Sequence, residues 1–281
     1  MPPIIVRTLS REYRLHVEAP AHYQALRFME IAPDIVGRQL DPVDIRIDVL
    51  HGQLSMAVPQ LRTVQGSADH LLATLHGIIF DDLLASEPGA PLLHGATVIV
   101  QGRRMLLIGN KACGKTTLSL HLAANAYRVE GDEHLVIGTE TVIARPRTLR
   151  VKPGTLALVA GLPDSVWQAP SVATWDGSLI RAVRPDIAGQ GWTIAAGKLD
   201  AIVSLSANHG GRSLAKPVAS DPAFRDLIAQ TIMPTSGIPG AAMRVRRLAT
   251  ATPAFKMLLG DLVGAEWHLN SIARGLTGAP R

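Results

Sequence analysis

The pattern of apolar and polar positions divides the chain into a β-rich beginning and a mixed α/β remainder. Within residues 1–68, apolar and polar residues alternate in YRLHVEA, and DIRIDVL and QLSMAV flank a His-Gly pair, which predicts strands and a hairpin. Residues 69–87 carry apolar positions at helical spacing and are followed by Pro88-Gly89, which predicts an amphipathic helix. We therefore expect a small β-rich module with a linking helix over residues 1–88, and a second domain over residues 89–281.

Strands and helices alternate in the pattern of this second domain. ATVIV and RMLLI, joined by Gln101-Gly102, predict a tight antiparallel hairpin. YRVEGDEHLVIGTETVIARPRTLRVKPG predicts a β-meander, with Asp132 and Glu133 at its first bend. KLDAIVSLSA predicts a buried strand, DPAFRDLIAQTIM a helix, and PAFKMLLGDLVGAEWHLN one or two more helices. Residues 161–197 are rich in Gly, Pro and Trp, which favours an irregular lid or substrate-binding loop.

A glycine-rich motif stands between the predicted hairpin and the helical stretch LSLHLAANA. GNKACGKTT, residues 109–117, has the spacing G-x-x-x-x-G-K-T of a phosphate-binding loop. Gly109 and Gly114 permit backbone conformations that side chains disfavour, so the loop amides and the start of the helix can point at phosphate oxygens. The strand–loop–helix context predicts a nucleotide site. The residues expected to contact ATP are Gly109, Asn110, Lys111, Ala112, Cys113, Gly114, Lys115, Thr116 and Thr117.

Two acidic positions compete for the role beside the phosphates. Lys115 is expected to reach the terminal phosphates, and the Thr116 hydroxyl is expected to ligate Mg²⁺. Asp132 and Glu133 follow the loop helix closely. Asp164 ends the apolar run LALVAGLPD, as in the usual second metal-binding motif of phosphate-loop ATPases. The residues alone leave the choice between these acids open.

Composition narrows the class of protein. The chain has 281 residues, 47% of them hydrophobic, and no apolar run reaches the length of about 18 residues that spans a membrane. The N-terminus has no signal-peptide core, and a single cysteine excludes an internal disulfide, so we expect a soluble, cytoplasmic protein without a membrane partner. A net charge of +5 suits anionic ligands. Nucleic acid is disfavoured because aromatic residues are only 4% and no stacking motif is present.

The stretch LHGATVIVQGRRMLLIGNKACGKTTLSLHLAANAYRVEGDEHLVI resembles the catalytic core of the HPr kinase/phosphorylase family. Within that family it more closely resembles the shorter HPr-kinase-related serine kinases, which include kinases of lasso peptides. The matching features are His94-Gly95 opening the hairpin, the loop at the same distance, Arg128 on a strand, and the pair Asp132-Glu133. The resemblance covers residues 90–155 well. It implies an α/β fold with a P-loop core of the HPr kinase/phosphoenolpyruvate carboxykinase type, in which a hairpin before the loop is normal.

The resemblance implies an ATP-dependent kinase that phosphorylates a hydroxyl, a serine of a peptide or protein, with ATP and Mg²⁺. In that reading Asp132 is the catalytic base, His94 lies beside the transferring phosphoryl group, and Lys115 holds the phosphates. Glu133 with Thr116, or Asp132 itself, holds the metal. Weaker candidates for charge stabilisation are Arg128, Arg147 and Lys152. Since members of the family form oligomers, a homo-oligomer is a further expectation.

The sequence departs from the family pattern at three places. The acid pair is Asp-Glu instead of Asp-Asp, and Lys111, Ala112 and Cys113 replace the usual Ser and Gly. The later glycine-rich stretch that grips HPr is missing, which argues against HPr as substrate and against the reverse reaction. Alternatives therefore stay open: a kinase of small-molecule alcohols, or a nucleotide-binding regulatory ATPase without kinase activity. Cys113, a thiol at a helix N-terminus, is also a candidate redox switch.

Overall fold

The chain folds as a mixed α/β protein with several sheets, which confirms the α/β part of the fold class predicted from the sequence. The computed structural model describes residues 1–7, 11–18, 20, 23, 26, 40–50, 53–59, 63–67, 70–71, 74–75, 77–78, 82, 89–144, 148–169, 171–173, 179–192, 195–234 and 236–276. Among the helices in these ranges, none combines the length and apolar character that crossing a bilayer requires.

The strands fall into an N-terminal group and a larger group that follows residue 89. The N-terminal strands are β1 (Ile4–Arg7), β2 (Arg11–Val17), β3 (Asp41–Leu50), β4 (Gln53–Ala57) and β5 (Val64–Gly66). The later strands are β6 (Leu92–Val100), β7 (Arg103–Ile108), β8 (Arg128–Ile137), β9 (Val142–Ala144), β10 (Leu149–Val151), β11 (Ser171–Ala173), β12 (Leu179–Val183), β13 (Ala195–Gly197), β14 (Ala201–Ala207), β15 (Leu214–Val218), β16 (Thr231–Ile232) and β17 (Ala254–Leu259).

The helices that the structure describes over their full length all follow the glycine-rich loop. They are α1 (Lys115–Ala124), α2 (Pro153–Leu156), α3 (Asp164–Trp167), α4 (Ser220–Ala229), α5 (Ile238–Ala251) and α6 (Leu262–Gly275). The described positions between residues 70 and 82 are also helical, in agreement with the linking helix; the rest of that prediction lies outside the described residues.

Three sheets organise the described residues. The N-terminal sheet has the order β1-β2-β3-β4-β5, and its β3–β4 hairpin was predicted. The central sheet has nine strands in the order β13-β9-β8-β6-β7-β14-β17-β15, with β16 paired to β6. The third sheet, β10-β12-β11, is small. Helices α1 and α6 pack on one face of the central sheet, and α4 and α5 pack on the other.

The centre of the large sheet is a hairpin joined to parallel strands. Strands β6 and β7 pair antiparallel around Gln101 and Gly102, whose φ angles of 50° and 74° form the primed turn that a two-residue hairpin requires. Strand β14 is parallel to both β7 and β17. The carboxyl ends of β7, β14 and β17 therefore meet at one edge, where open α/β sheets bind ligands.

Several local predictions were wrong. Asp132 and Glu133 lie inside the continuous strand β8 and not at a bend. AFKMLL forms strand β17 between β14 and β15, because its alternate side chains are buried, and the helix begins only at Leu262. Residues 161–197 contain α3, β11, β12 and β13, so their described part is not a simple irregular loop.

Candidate nucleotide site

The glycine-rich loop connects β7 to α1 in a conformation that depends on its two glycines. Gly109 has a φ of 153°, and a Cβ added there would lie 2.6 Å from the Leu205 carbonyl oxygen and 2.8 Å from Cys113 Sγ. Gly114 has a φ of 95°, and its added Cβ would lie 2.6 Å from Leu259 Cδ2. The loop is therefore shaped by backbone that packs directly on β14 and on the end of β17.

The start of α1 leaves amide groups available to an anion. The first bond of the helix runs from the Leu118 amide to the Gly114 carbonyl at 2.9 Å, so the amides of the first turn have no partner within the helix. The first turn contains no acidic residue. These amides and the helix dipole together favour a bound phosphate.

Lys115 is held against the loop itself. Its side chain is only 6% exposed, and its Nζ donates a hydrogen bond of 3.0 Å to the Gly109 carbonyl oxygen. The residue also lines the cavity next to the loop. A buried ammonium in this position supplies a fixed positive charge beside the amides of α1.

The loop forms the floor of a cavity of about 940 Å³, at the upper end of the size range of small-molecule sites. One side is formed by β6 and β8, another by β10 and α2, and a third by the ends of β14 and β17 with the start of α6. The lining residues outside the loop are His94, His121, Asp132, Glu133, Arg150, Lys152, Thr155, Leu158, Ala160, Ala207, His209, Gly210, Gly211, Leu259, Gly260, Asp261, Leu262 and Val263.

A β-bulge determines on which face of the sheet the side chain of Asp132 lies. The register with β6 shifts between Thr97 and Val98, so that Glu130 is an extra residue in β8. Val129 packs in the core against α1, and the extra residue places Asp132 on the same face as Val129. Asp132 is 8% exposed and lines the cavity.

The bulge is fixed by an ion pair. The Arg104 guanidinium donates to both carboxylate oxygens of Glu130, at 2.7 and 2.9 Å, and this hydrogen-bonded pairing raises the pKa of Arg104. Arg104 also donates its backbone amide to Asp200 at 2.9 Å, which ties the start of β7 to the strand beside it. Since the Glu130 carboxylate is buried, the pair has little freedom to move.

Histidine and arginine side chains surround the acids. His94 lies directly opposite His134, with ring centroids 6.2 Å apart, and is a diagonal cross-strand neighbour of Asp132 on the same face. Arg150 on β10 approaches the Glu133 carboxylate to 3.9 Å. The cavity therefore has a charged end that contains an aspartate, a glutamate, a histidine and an arginine.

The remaining predicted residues are placed differently. Asp164 is exposed at the start of α3 and does not line this cavity, so the structure brings Asp132 and not Asp164 to the loop. Lys152 lines the cavity, whereas Arg128 lies outside its lining, 3.9 Å from Glu130. Arg147 lies outside the described residues.

The sequence did not predict the side of the cavity that the segments after β14 and β17 form. Asp261 accepts hydrogen bonds from the Ser213 amide at 2.9 Å and from the Gly264 amide at 2.5 Å. These two backbone bonds lower the pKa of Asp261. Ser213 in turn donates its hydroxyl to the Asp261 carbonyl and accepts from the Gly260 amide. This wall is held by its own hydrogen bonds, and a helix-capping pattern at Asp261 was its only signal in the sequence.

A second polar network joins α1 to α6 behind the loop. His121 Nε2 and a Glu266 carboxylate oxygen are 2.8 Å apart, and the Tyr127 hydroxyl donates to the other oxygen at 3.0 Å. Asn270 donates to the Tyr127 hydroxyl at 2.7 Å. Burial, together with the neighbouring Glu266, raises the pKa of Tyr127. The network fixes the distance between the helix that carries the loop and the helix that closes the cavity.

Cys113 is a free thiol of the loop that is only 6% exposed and packs into the core beneath the loop. A redox switch needs a thiol that an oxidant can reach. The packing therefore favours a small residue that fills the loop interior.

Within the described residues no group of three or more His, Cys, Asp or Glu side chains is arranged to hold a metal ion. Magnesium in nucleotide sites commonly takes only one or two protein ligands and completes its shell with phosphates and water. Thr116, Asp132 and Glu133 line the same cavity and supply the oxygen ligands that such an ion requires.

Comparison with known proteins adds little to this geometry. No protein-family model matches the chain, and no curated protein matches it. Among solved structures the chain is similar to the HPr(Ser) kinase/phosphatase from Coxiella burnetii, with a TM-score of 0.31 and 12% sequence identity, over 65% of this chain and 88% of that one. A TM-score of this size does not establish a common fold or a family.

Proposed function

We propose that this protein is an ATP-dependent kinase that transfers the γ-phosphoryl group to a hydroxyl. The observation that carries the proposal is the shared cavity: the bulge in β8 turns Asp132 toward the same space that the phosphate loop and Lys115 line. A nucleotide loop alone would suit any ATPase. A buried carboxylate beside it is the group that a hydroxyl acceptor requires as a base.

Each group of cavity residues has a separate role in the proposed reaction. The amides of α1 and Lys115 hold the β- and γ-phosphates. Asp132 accepts the proton of the acceptor hydroxyl as its oxygen forms a bond to the γ-phosphorus, while the bond to the bridging oxygen breaks and its electron pair leaves with ADP. His94 donates a hydrogen bond, and Arg150 donates hydrogen bonds and positive charge, to the equatorial oxygens.

Thr116 and Glu133, with Asp132 as an alternative ligand, would hold Mg²⁺. When bound, the ion neutralises charge on the β- and γ-phosphates. The four cationic side chains of the cavity, Lys111, Lys115, Arg150 and Lys152, contribute charge of the same sign.

The acceptor that we propose is a serine of a peptide or protein. The cavity volume of about 940 Å³ leaves room for a side chain beside a nucleotide, and the basic balance of the chain suits an acidic peptide. A small-molecule alcohol is the alternative acceptor.

The test is incubation with γ-labelled ATP and peptides encoded beside the gene, read by mass spectrometry. We expect the mass of one phosphate on a serine with the wild-type protein, and none with Lys115→Ala or Asp132→Asn. Near-normal turnover by Asp132→Asn, together with an inactive Asp164→Asn, would contradict the assignment of the base. Hydrolysis of ATP without any phosphorylated product would instead identify a regulatory ATPase.

A further inference from the structure

The connection from α4 to β16 lies directly beside the phosphate loop. Strand β16 pairs with β6 at Leu92 and Leu93, where β8 already occupies the other edge of β6. Strand β7 pairs with β6 from Ala96 to Val100. Strand β16 therefore continues the position of β7 in the sheet, beyond the point at which the chain leaves β7 to form the loop.

Gln230, the residue at the end of α4, contacts both sides of this junction. Its carbonyl oxygen accepts a hydrogen bond of 2.8 Å from the His94 amide, and its side-chain Nε2 donates to Asn110 Oδ1 at 2.9 Å. The Gln230 amide and the Thr231 hydroxyl both donate to the carbonyl oxygen of Leu227, whose side chain is fully buried. One residue on an anchored helix end thus links the strand that carries His94 to the phosphate loop.

Asn110 connects this contact to the first turn of the loop. Its carbonyl oxygen accepts a hydrogen bond of 3.1 Å from the Cys113 amide, so a shift of Asn110 also shifts that turn. Asn110 and His94 line the cavity, whereas Gln230 does not. The Gln230 side chain therefore acts through these two residues and not on the substrate directly.

We propose that Gln230 is a positioning residue for phosphoryl transfer, which holds the phosphate loop at a fixed place relative to His94. This inference rests on the proposed kinase function of the cavity. The loop amides and Lys115 bind the phosphates of the ground state whether or not the loop is aligned with β6. The transition state also requires the γ-phosphorus to meet His94 and Asp132 in the correct geometry. Loss of the Gln230 side-chain bond should therefore weaken binding of the transition state more than binding of the ground state.

The test compares a ground-state probe with a transition-state probe and needs no acceptor peptide. Calorimetry with Mg²⁺ measures the affinity for a β,γ-imido analogue of ATP, and for ADP in excess aluminium fluoride, which takes the place of the phosphoryl group in transit. Gln230→Met keeps a side chain of similar length and removes its hydrogen bond. It should weaken the ADP–aluminium fluoride complex about tenfold, the loss that one hydrogen bond supports, and leave the imido analogue within about twofold. Gln230→Ala is the second variant and should show the same difference between the probes.

Gln101→Met is the matched control. Gln101 Nε2 donates to Asn270 Oδ1 at 3.0 Å, so this variant removes a bond of the same kind, and neither residue lines the cavity. It should change neither affinity. A double-mutant cycle tests the route: Gln230→Met combined with Asn110→Ala should be no weaker than Asn110→Ala alone, because both substitutions remove the same hydrogen bond.

Equal changes of the two affinities in Gln230→Met, or no change in either, would overturn the positioning role while leaving the phosphate loop in place. Binding of the imido analogue but not of the ADP–aluminium fluoride complex by the wild type would do the same. A double variant much weaker than Asn110→Ala would show that Gln230 acts by another route and would also overturn the inference. Failure of the wild type to bind the imido analogue, or binding that Lys115→Ala leaves unchanged, would overturn the proposed function together with the positioning role.

Discussion

At the scale of single residues, the phosphate loop depends on backbone that only glycine adopts easily. Gly114 combines a φ of 95° with the close approach of Leu259, and it directly precedes the amides that face the cavity. A side chain there both strains the backbone and displaces the wall of the site.

We expect Gly114→Ala to reduce the free energy of unfolding by about 1–2 kcal/mol, because of its positive φ, and to weaken binding of the ATP analogue by at least about tenfold. Chemical denaturation and calorimetry measure the two effects. Gly189→Ala is the matched control, with a φ of 80° and nothing within 4 Å of its added Cβ. The control should lose stability and keep the affinity; equal losses of affinity in both variants would contradict a local effect.

The lowered pKa of Asp261 predicts that the stability of the protein depends on pH. Its pKa is lowered by the bonds from the Ser213 and Gly264 amides, so the folded state stays ionised at pH values where the unfolded chain takes up a proton. The stabilisation is complete above the ordinary pKa of 3.8 and is lost as the pH falls through the lower value of the folded state.

Asp261→Asn should therefore be less stable than the wild type at neutral pH, and the difference should shrink as the pH falls below 3.8. Urea unfolding at a series of pH values measures it. Glu140→Gln, at a side chain that is 70% exposed, serves as the control and should show no such trend. A difference that stays constant with pH would rule out the ionised cap.

At the scale of elements, the bulge in β8 connects strand register to chemistry. Glu130 is the extra residue, its carboxylate is buried, and Arg104 holds it with two hydrogen bonds. Without the extra residue, Asp132 would turn to the opposite face of the sheet.

We expect Glu130→Gln to reduce the free energy of unfolding by about 2 kcal/mol, since it replaces a buried carboxylate by a neutral group and leaves the half-buried Arg104 guanidinium with a weaker partner. The turnover number should fall more than the affinity for the nucleotide, because Asp132 moves while the loop stays. Arg128→Gln is the comparison. Its side chain is 40% exposed and approaches the Glu130 carboxylate no closer than 3.9 Å. A loss of affinity larger than the loss of turnover would contradict a role of the bulge in placing the base.

The same elements show what the sequence could predict. The β6–β7 hairpin was predictable because Gln101-Gly102 sets a two-residue turn between apolar runs. The bulge was not, since VEGDEH reads equally well as a turn. AFKMLL has apolar spacing compatible with a helix, and only its place between β14 and β15 makes it a strand. Tertiary packing brings Arg150 and Val263 to the cavity, and no local pattern in the sequence indicates this.

At the scale of the whole molecule, the small sheet β10-β12-β11 connects the core that contains α1 to the core of the N-terminal sheet. Leu149, Val151 and Val183 face the core that contains α1, whereas Ile180 and Ala182 face the core of the N-terminal sheet. The same short strand β10 carries Arg150 at the cavity. The boundary at residue 88 stays a prediction, yet the N-terminal core includes side chains from beyond it.

Ile180→Ala should reduce the free energy of unfolding by about 3 kcal/mol, because it opens a cavity in the N-terminal core. Leu179→Ala is the control, since this neighbouring side chain is 57% exposed. Urea unfolding followed by tryptophan fluorescence measures both. Equal, small effects of the two substitutions would show that β12 does not belong to the N-terminal core.

Strand β12 packs against two cores, and this limits how the N-terminal module can be exchanged between proteins. A module that shares a strand with its neighbour cannot be transplanted as an independent cassette. Chimeras that join a foreign segment 1–88 to this chain should fold only when the incoming surface accommodates Ile180 and Ala182, and breakpoints that carry β12 along with the N-terminal sheet should tolerate exchange better.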